Sequence, residues 1–172
     1  MKETKTTKER VRLFRIVRDI PYYIGIDNEQ DYSCATKPAI LEALFKSIGL
    51  KVQRVLCSFK WENLNLPKNL IEIPHNSIET HEYLQVFVPE TKKWAKIDPT
   101  WDSKIINPTF PIAEWDGLND TLIAVPTEQI WSVKESKKLS AQEDENKDEY
   151  LNKNKNFFIA FNKWLESQRK KI

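Results

Sequence analysis

Apolar residues along this chain change period several times, and each change marks an element. In residues 7–20, TKERVRLFRIVRDI, Val11, Phe14 and Val17 recur at helical spacing with Leu13, Ile16 and Ile20 beside them. The pattern predicts a helix, with Thr6 and Glu9 as a capping box and Pro21 as its stop. PYYIGIDNEQD reads as a loop. A second helix runs to about Ile48, with Ile40, Leu41, Leu44, Phe45 and Ile48 on one face and Gly49 as its stop. Pro38 inside that segment places its regular start at Thr36 or Lys37.

LKVQRVLCSFKW is Val-rich and predicts a strand, and residues 63–80 read as a long loop. HEYLQVFV alternates strictly. Leu84, Val86 and Val88 fall on one face; His81, Tyr83, Gln85 and Phe87 fall on the other. PETKK is a turn and WAKID the returning strand, so the pair predicts an antiparallel hairpin, and TLIAV (Thr121 to Val125) predicts one more strand. These elements make residues 1–133 a core domain of the α+β class. Residues 134–149 are charged and polar and read as a linker, with Ser140 and Glu143 as a capping box. Residues 150–172 form an amphipathic helix carrying Tyr150, Leu151, Phe157, Phe158, Phe161, Trp164 and Leu165. Docking on the domain's own core is the favoured reading; a protein partner bound through this helix is the alternative.

Composition narrows the function classes. A chain of 172 residues is long enough for one real hydrophobic core. Its 27 basic and 25 acidic residues leave a net charge of +2, too balanced for a nucleic-acid or anionic-membrane surface. No apolar run approaches the roughly 20 residues that span a bilayer. The first residues, MKETKTTKERVR, have no apolar segment of a signal peptide, so a cytoplasmic protein is expected. Two cysteines, Cys34 and Cys57, do not make a disulfide framework. Standing 23 positions apart, they lack the close ligand pairs of a zinc site, and no metal or cofactor is expected.

Chemistry enters with Cys34, at the front of the second helix. A buried filler is one reading. The other is a nucleophile, because a helix N-terminus and a neighbouring imidazolium both favour a cysteine's thiolate. A nucleophilic cysteine needs a base and a group that orients the base. His81 opens the alternating strand, and Asp98 ends the returning one. Pairing Val88 with Thr91 across the turn sets His81 directly opposite Asp98, with Cβ atoms roughly 4.5–5.5 Å apart. Asp98 then fixes the tautomer of His81 and stabilises its protonated form. The other candidates have plainer readings: Lys37 in surface or helix packing, Cys57 in the core, and His75 exposed in a polar loop. The tryptophans Trp94, Trp101, Trp115 and Trp131 are mostly core, with Trp101 placed to line a cleft.

At these residues the chain resembles the transglutaminase-like superfamily of cysteine acyltransferases and proteases. VRLFRIVRDIPYYIG looks like the helix and turn that precede that family's nucleophile. CATKPAILEALFKSIGLKVQRV is similar to its cysteine, a lysine three later, a leucine-rich helix and a strand with arginine. HEYLQVFVPETKKWAKIDPTWD resembles its histidine strand and its DPT aspartate strand. The likeness covers about residues 10–105. It implies a papain-like fold, a nucleophile helix packed on an antiparallel sheet carrying His and Asp, with Cys34 as nucleophile, His81 as base and Asp98 as orienter. Departures are DYSC where the family often has Gly, and the absence of the CxxC of peptide N-glycanases and the RGGxC of arylamine acetyltransferases. The second oxyanion donor is not fixed by the motifs; Tyr22, Tyr23 and Tyr32 are its candidates. The resemblance implies acyl transfer through a thioester on a peptide or protein substrate, with hydrolysis favoured over crosslinking. The rival is a protein-binding module that keeps the fold with its chemistry idle.

Overall fold

The computed structural model describes residues 5–170. In chain order the elements are α1 (Lys5–Arg18), α2 (Thr36–Ser47), β1 (Val52–Lys60), a 3-10 turn (Trp61–Leu64), α3 (Lys68–Ile71), β2 (Ile78–Val88), β3 (Lys93–Ile97), α4 (Val133–Glu145) and α5 (Lys147–Ser167). The fold is mixed α+β, with an antiparallel sheet in the order β1-β2-β3. Among the described residues no helix is long and apolar enough to cross a membrane.

The alternation in β2 divides the interior. Leu84, Val86 and Val88 pack with Leu13, Phe14 and Val17 of α1 and Leu41 and Phe45 of α2. On the opposite face Tyr83 joins Val55, Cys57 and Phe59 of β1 and Phe157, Phe158, Phe161 and Leu165 of α5. Along the middle of β1 and β2 the sheet is thus buried on both faces, which explains their near-continuous burial, while β3 leaves one face open at Trp94 and Lys96.

α2 begins at Thr36, where Pro38 requires it, and Gly49 follows with φ +83°, the left-handed stop that glycine allows. Other expectations change. Thr6 lies inside α1 and does not cap it. The loop expected over residues 63–80 holds α3, and β2 starts at Ile78. TLIAV is not a strand: Thr121 donates its N–H to the Lys96 carbonyl (2.8 Å) and Ala124 donates to the Asp98 carboxylate (2.7 Å), so no ladder forms.

The hairpin register also differs. Val88 pairs with Lys93, and Leu84 with Ile97, a shift of two residues from the expected pairing. Pro89 supplies the reason. A two-residue hairpin turn needs positive φ at its first central position, and proline is locked near −65°. The turn widens to Pro89–Lys92, closed by Lys92 donating to the Val88 carbonyl (2.8 Å) with Lys92 at φ +56°.

The charged stretch 134–149, expected to be a linker, is mostly helix. α4 starts at Ser132, not Ser140: Ser132 Oγ accepts from Glu135 N–H (3.3 Å) and Glu135 Oε2 accepts from Ser132 N–H (2.9 Å). Its Ser136 Oγ accepts from Leu56 N–H (2.9 Å), and residues 128–131 run beside β1, so the exposed edge of that strand is covered. α5 lays its Phe and Leu residues into the core, and Asn162 clasps Ile24, accepting from its N–H (3.1 Å) and donating to its carbonyl (2.9 Å).

Candidate active site

The turn that carries Cys34 is organised by Asp31. One carboxylate oxygen accepts from Gly25 N–H (2.9 Å); the other accepts from Ser33 N–H (3.2 Å), Ser33 Oγ (2.8 Å) and Thr36 Oγ1. Backbone bonds between Tyr23 and Tyr32 close the base of the loop (2.8 and 3.3 Å). A Cβ at Gly25 would stand 2.7 Å from the Glu29 carbonyl oxygen, so only glycine lets the two arms of the loop approach. Cys34 is half-buried and lies two residues before α2, in the turn rather than in the helix.

His81 and Asp98 are each only 1% exposed, and the imidazole Nε2 donates to Asp98 Oδ2 at 2.7 Å. They are not directly opposite. Asp98 lies one residue past β3, and in the observed register His81 is its diagonal neighbour. Diagonal positions share a face and stay within reach of such side chains. A shift of two keeps every side chain on its face, whereas a shift of one would have parted the pair. Asp98 also accepts from Thr100 N–H (3.0 Å) and Ala124 N–H (2.7 Å). Burial pushes its pKa up, but the His81 charge and these hydrogen bonds outweigh it, and the carboxyl is held below its usual value. For His81, burial acts downward. The charge and hydrogen bond of Asp98, joined by those of Cys34, prevail, and the imidazole pKa is raised well above its ordinary value. Asp98 occupies Nε2, so Nδ1 is the nitrogen left to face Cys34.

The Tyr22 phenol lies near Cys34: its pKa is raised first by burial and then by the nearby Cys34. Tyr22 is held from both sides of its peptide: its N–H donates to Asp102 Oδ2 (3.1 Å), and its carbonyl accepts from Arg169 Nη2 (2.9 Å). Arg169 closes the clamp by donating to Asp102 Oδ2 at 2.9 Å. Neither residue is marked in the sequence beyond DPTWD, because the pair is 67 positions apart.

Lys37 is fully buried, not at the surface. Its Nζ donates to the carbonyls of Arg18 (2.9 Å), Ile20 (2.7 Å) and Thr100 (2.7 Å). Burial lowers its pKa to about 7, against the opposing charges of Asp102 and Asp98. Three carbonyls match the three donors of the ammonium form. The residue ties the end of α1 and the loop after Asp98 to α2. Cys57 is core, its thiol pKa pushed up to about 12, chiefly by burial. His75 is not exposed: its Nδ1 bonds the Ile73 carbonyl (2.6 Å), and its ring stacks on Phe157 at 4.2 Å. Trp101 is core, its indole donating to the Ala124 carbonyl (2.8 Å). Among the described residues no group of three or more His, Cys, Asp or Glu is placed to hold a metal ion.

Cys34 opens onto a groove of about 560 Å³. Tyr22, Phe59, Trp61, Glu79 and Tyr150 line it, and α4 adds a wall through Leu139 and Glu143. Cys34 lines the groove and His81 does not. The arrangement can pass a proton from sulfur to Nδ1 and leave a thiolate facing the groove. Compared with known proteins, the chain matches no family model, no curated protein and no solved structure.

Proposed function

We propose that this protein is a cysteine-dependent acyl-transfer enzyme acting on peptide or amide bonds, with Cys34, His81 and Asp98 as its triad on a papain-like core. The observation that carries this reading is the buried His81–Asp98 pair at 2.7 Å, beside a half-buried Cys34 that raises the imidazole pKa and opens onto a groove. Nδ1 of His81 takes the thiol proton, and the sulfur attacks the acyl carbon. The C–N bond breaks as Nδ1 returns the proton to the leaving amine, and a thioester remains. Water, deprotonated by the same imidazole, attacks the thioester, releases the acid and restores the thiol. Water is the acceptor at hand, so hydrolysis is favoured over transfer to an amine. The Cys34 N–H and the Tyr22 hydroxyl are the donors proposed for the developing oxyanion.

Alkylation by iodoacetamide at pH 6, mapped by mass, tests the reading. Cys34 should react at least about tenfold faster than Cys57, whose buried thiol stays protonated. His81→Gln should remove most of that advantage. Equal labelling of the two cysteines, or an advantage untouched by His81→Gln, would leave a protein-binding module with its chemistry idle.

A further inference from the structure

The groove in front of Cys34 is acidic. Asp31, Glu79, Glu82, Glu143 and Asp144 line it against two cations, Arg54 and Lys147. Arg54 is already engaged, by Glu42 at 2.6 Å and Glu82 at 3.3 Å. Most of the carboxylates also have partners: Asp31 holds the nucleophile turn, Glu82 accepts from Arg54 and Ser140, and Glu143 accepts from Thr80 (2.7 Å).

Glu79 differs from them. Its side chain is 8% exposed, yet Oε1 has no hydrogen-bond partner among the described residues, while Oε2 accepts from the Tyr150 hydroxyl at 2.8 Å. Asn76 lies near enough to favour the carboxylate slightly but makes no bond of good geometry to Oε1. Lys153 favours the Glu79 charge and Glu143 opposes it, but neither makes an ion pair with Glu79 among the described residues. A buried carboxylate with no direct ion pair is costly, and native proteins pair such groups. Burial, set against the Tyr150 hydrogen bond, raises the Glu79 pKa to about 7. Around it the wall is aromatic: Phe59, Trp61, Tyr150 and Phe158 face the same groove, surfaces suited to an alkyl stem and to a cation over a ring. Tyr150, bonded to Glu79, also feels the charge of Cys34, so this end of the groove lies close to the nucleophile.

We propose that the groove selects acyl substrates bearing a lysine or arginine side chain, with Glu79 Oε1 as the seat of the cation. This rests on the acyl-transfer reading and adds its substrate class. The terminal torsion of a glutamate is soft, so a small rotation presents Oε1 to the incoming donor while Oε2 keeps Tyr150.

The test uses capped peptidyl chloromethyl ketones in which lysine replaces norleucine at one position at a time, with the all-norleucine compound as reference. Each rate of Cys34 alkylation in the full chain is divided by the iodoacetamide rate of the same protein. One lysine compound should exceed the reference by about tenfold or more, the range of a charge-assisted hydrogen bond, and Glu79→Gln should collapse that ratio toward one. The proposal is overturned if no lysine compound exceeds the reference, or if the preference survives Glu79→Gln. The wild-type comparison stands whatever the variant's stability. Should iodoacetamide not distinguish Cys34 from Cys57, the acyl-transfer reading fails separately. The cation seat is then read by tryptophan fluorescence with N-acetyl-lysine methylamide: saturable quenching lost in Glu79→Gln supports it, and no quenching overturns it.

Discussion

Glu79 and Lys37 show how single buried charges shape this protein. For Glu79 the folded pKa, about 7, lies above the ordinary carboxylate value of 4.5. Its contribution to stability is therefore full below about pH 4.5 and is lost as the pH rises through about 7. Glu79→Gln abolishes that loss. Thermal melts should show the variant gaining on the wild type as pH climbs from 4.5 to 8, by up to about 3 kcal/mol. A constant difference across that range would refute the assignment. Lys37→Met fills the same space with no donor and strands the buried Arg18 and Thr100 carbonyls and the part-buried Ile20 carbonyl. A destabilisation of about 3 kcal/mol or more is expected in urea unfolding, each unsatisfied buried group costing about 1–3 kcal/mol. A cost under 1 kcal/mol would show that the ammonium does not tie the three segments. The contact of His81 with Asp98 was legible in the sequence from residue type and strand pattern. The burial of Lys37 and the service of Asp31 were not: both depend on carbonyls or amides presented by loops, which no side-chain pattern encodes.

At the level of elements, the hairpin shows a wrong register giving the right contact. Pro89 forbids the short turn, yet a slip of two residues conserves the face, and the reach of His and Asp covers the diagonal. Asp98→Asn tests the orienting role. The amide is nearly isosteric but cannot stabilise the imidazolium, so Cys34 labelling at pH 6 should fall by at least about tenfold while the melting temperature shifts less than for Lys37→Met. The charged segment 134–149 illustrates the opposite case. Two Ser-x-x-Glu boxes stand eight residues apart, at Ser132 and Ser140, and local sequence does not choose between them. Packing does, because Ser136 caps the edge of β1 and Leu139 faces the groove only if the helix starts at Ser132. Ser132→Ala should cost about 1 kcal/mol.

For the whole molecule, α5 is the keystone of one face of the sheet. Phe161 is fully buried against Tyr22, Trp61 and Trp101, so Phe161→Ala should destabilise the protein by about 3–5 kcal/mol in denaturant unfolding. Removal of residues 140–172 should unfold the domain; a cooperative melt in the truncated chain would show the helix to be an appendage. Through Asn162 and Arg169 the same region holds Ile24 and Tyr22, the strand-like segment leading to Cys34, so the last elements in the chain support the first parts of the site. By itself the sequence determined the periods of α1, α2, α5 and the hairpin strands, a helix start at Thr36 or Lys37, and that His81 and Asp98 share a face of the hairpin. Hydrophobic spacing and proline sterics act within a few residues and are readable there. Only the tertiary structure decided the hairpin register, the helical state of α4, the groove that α4 walls, and the clamps of Lys37 and Arg169. Those depend on charges, carbonyls and edges that meet across as many as 147 positions, where no local rule reaches.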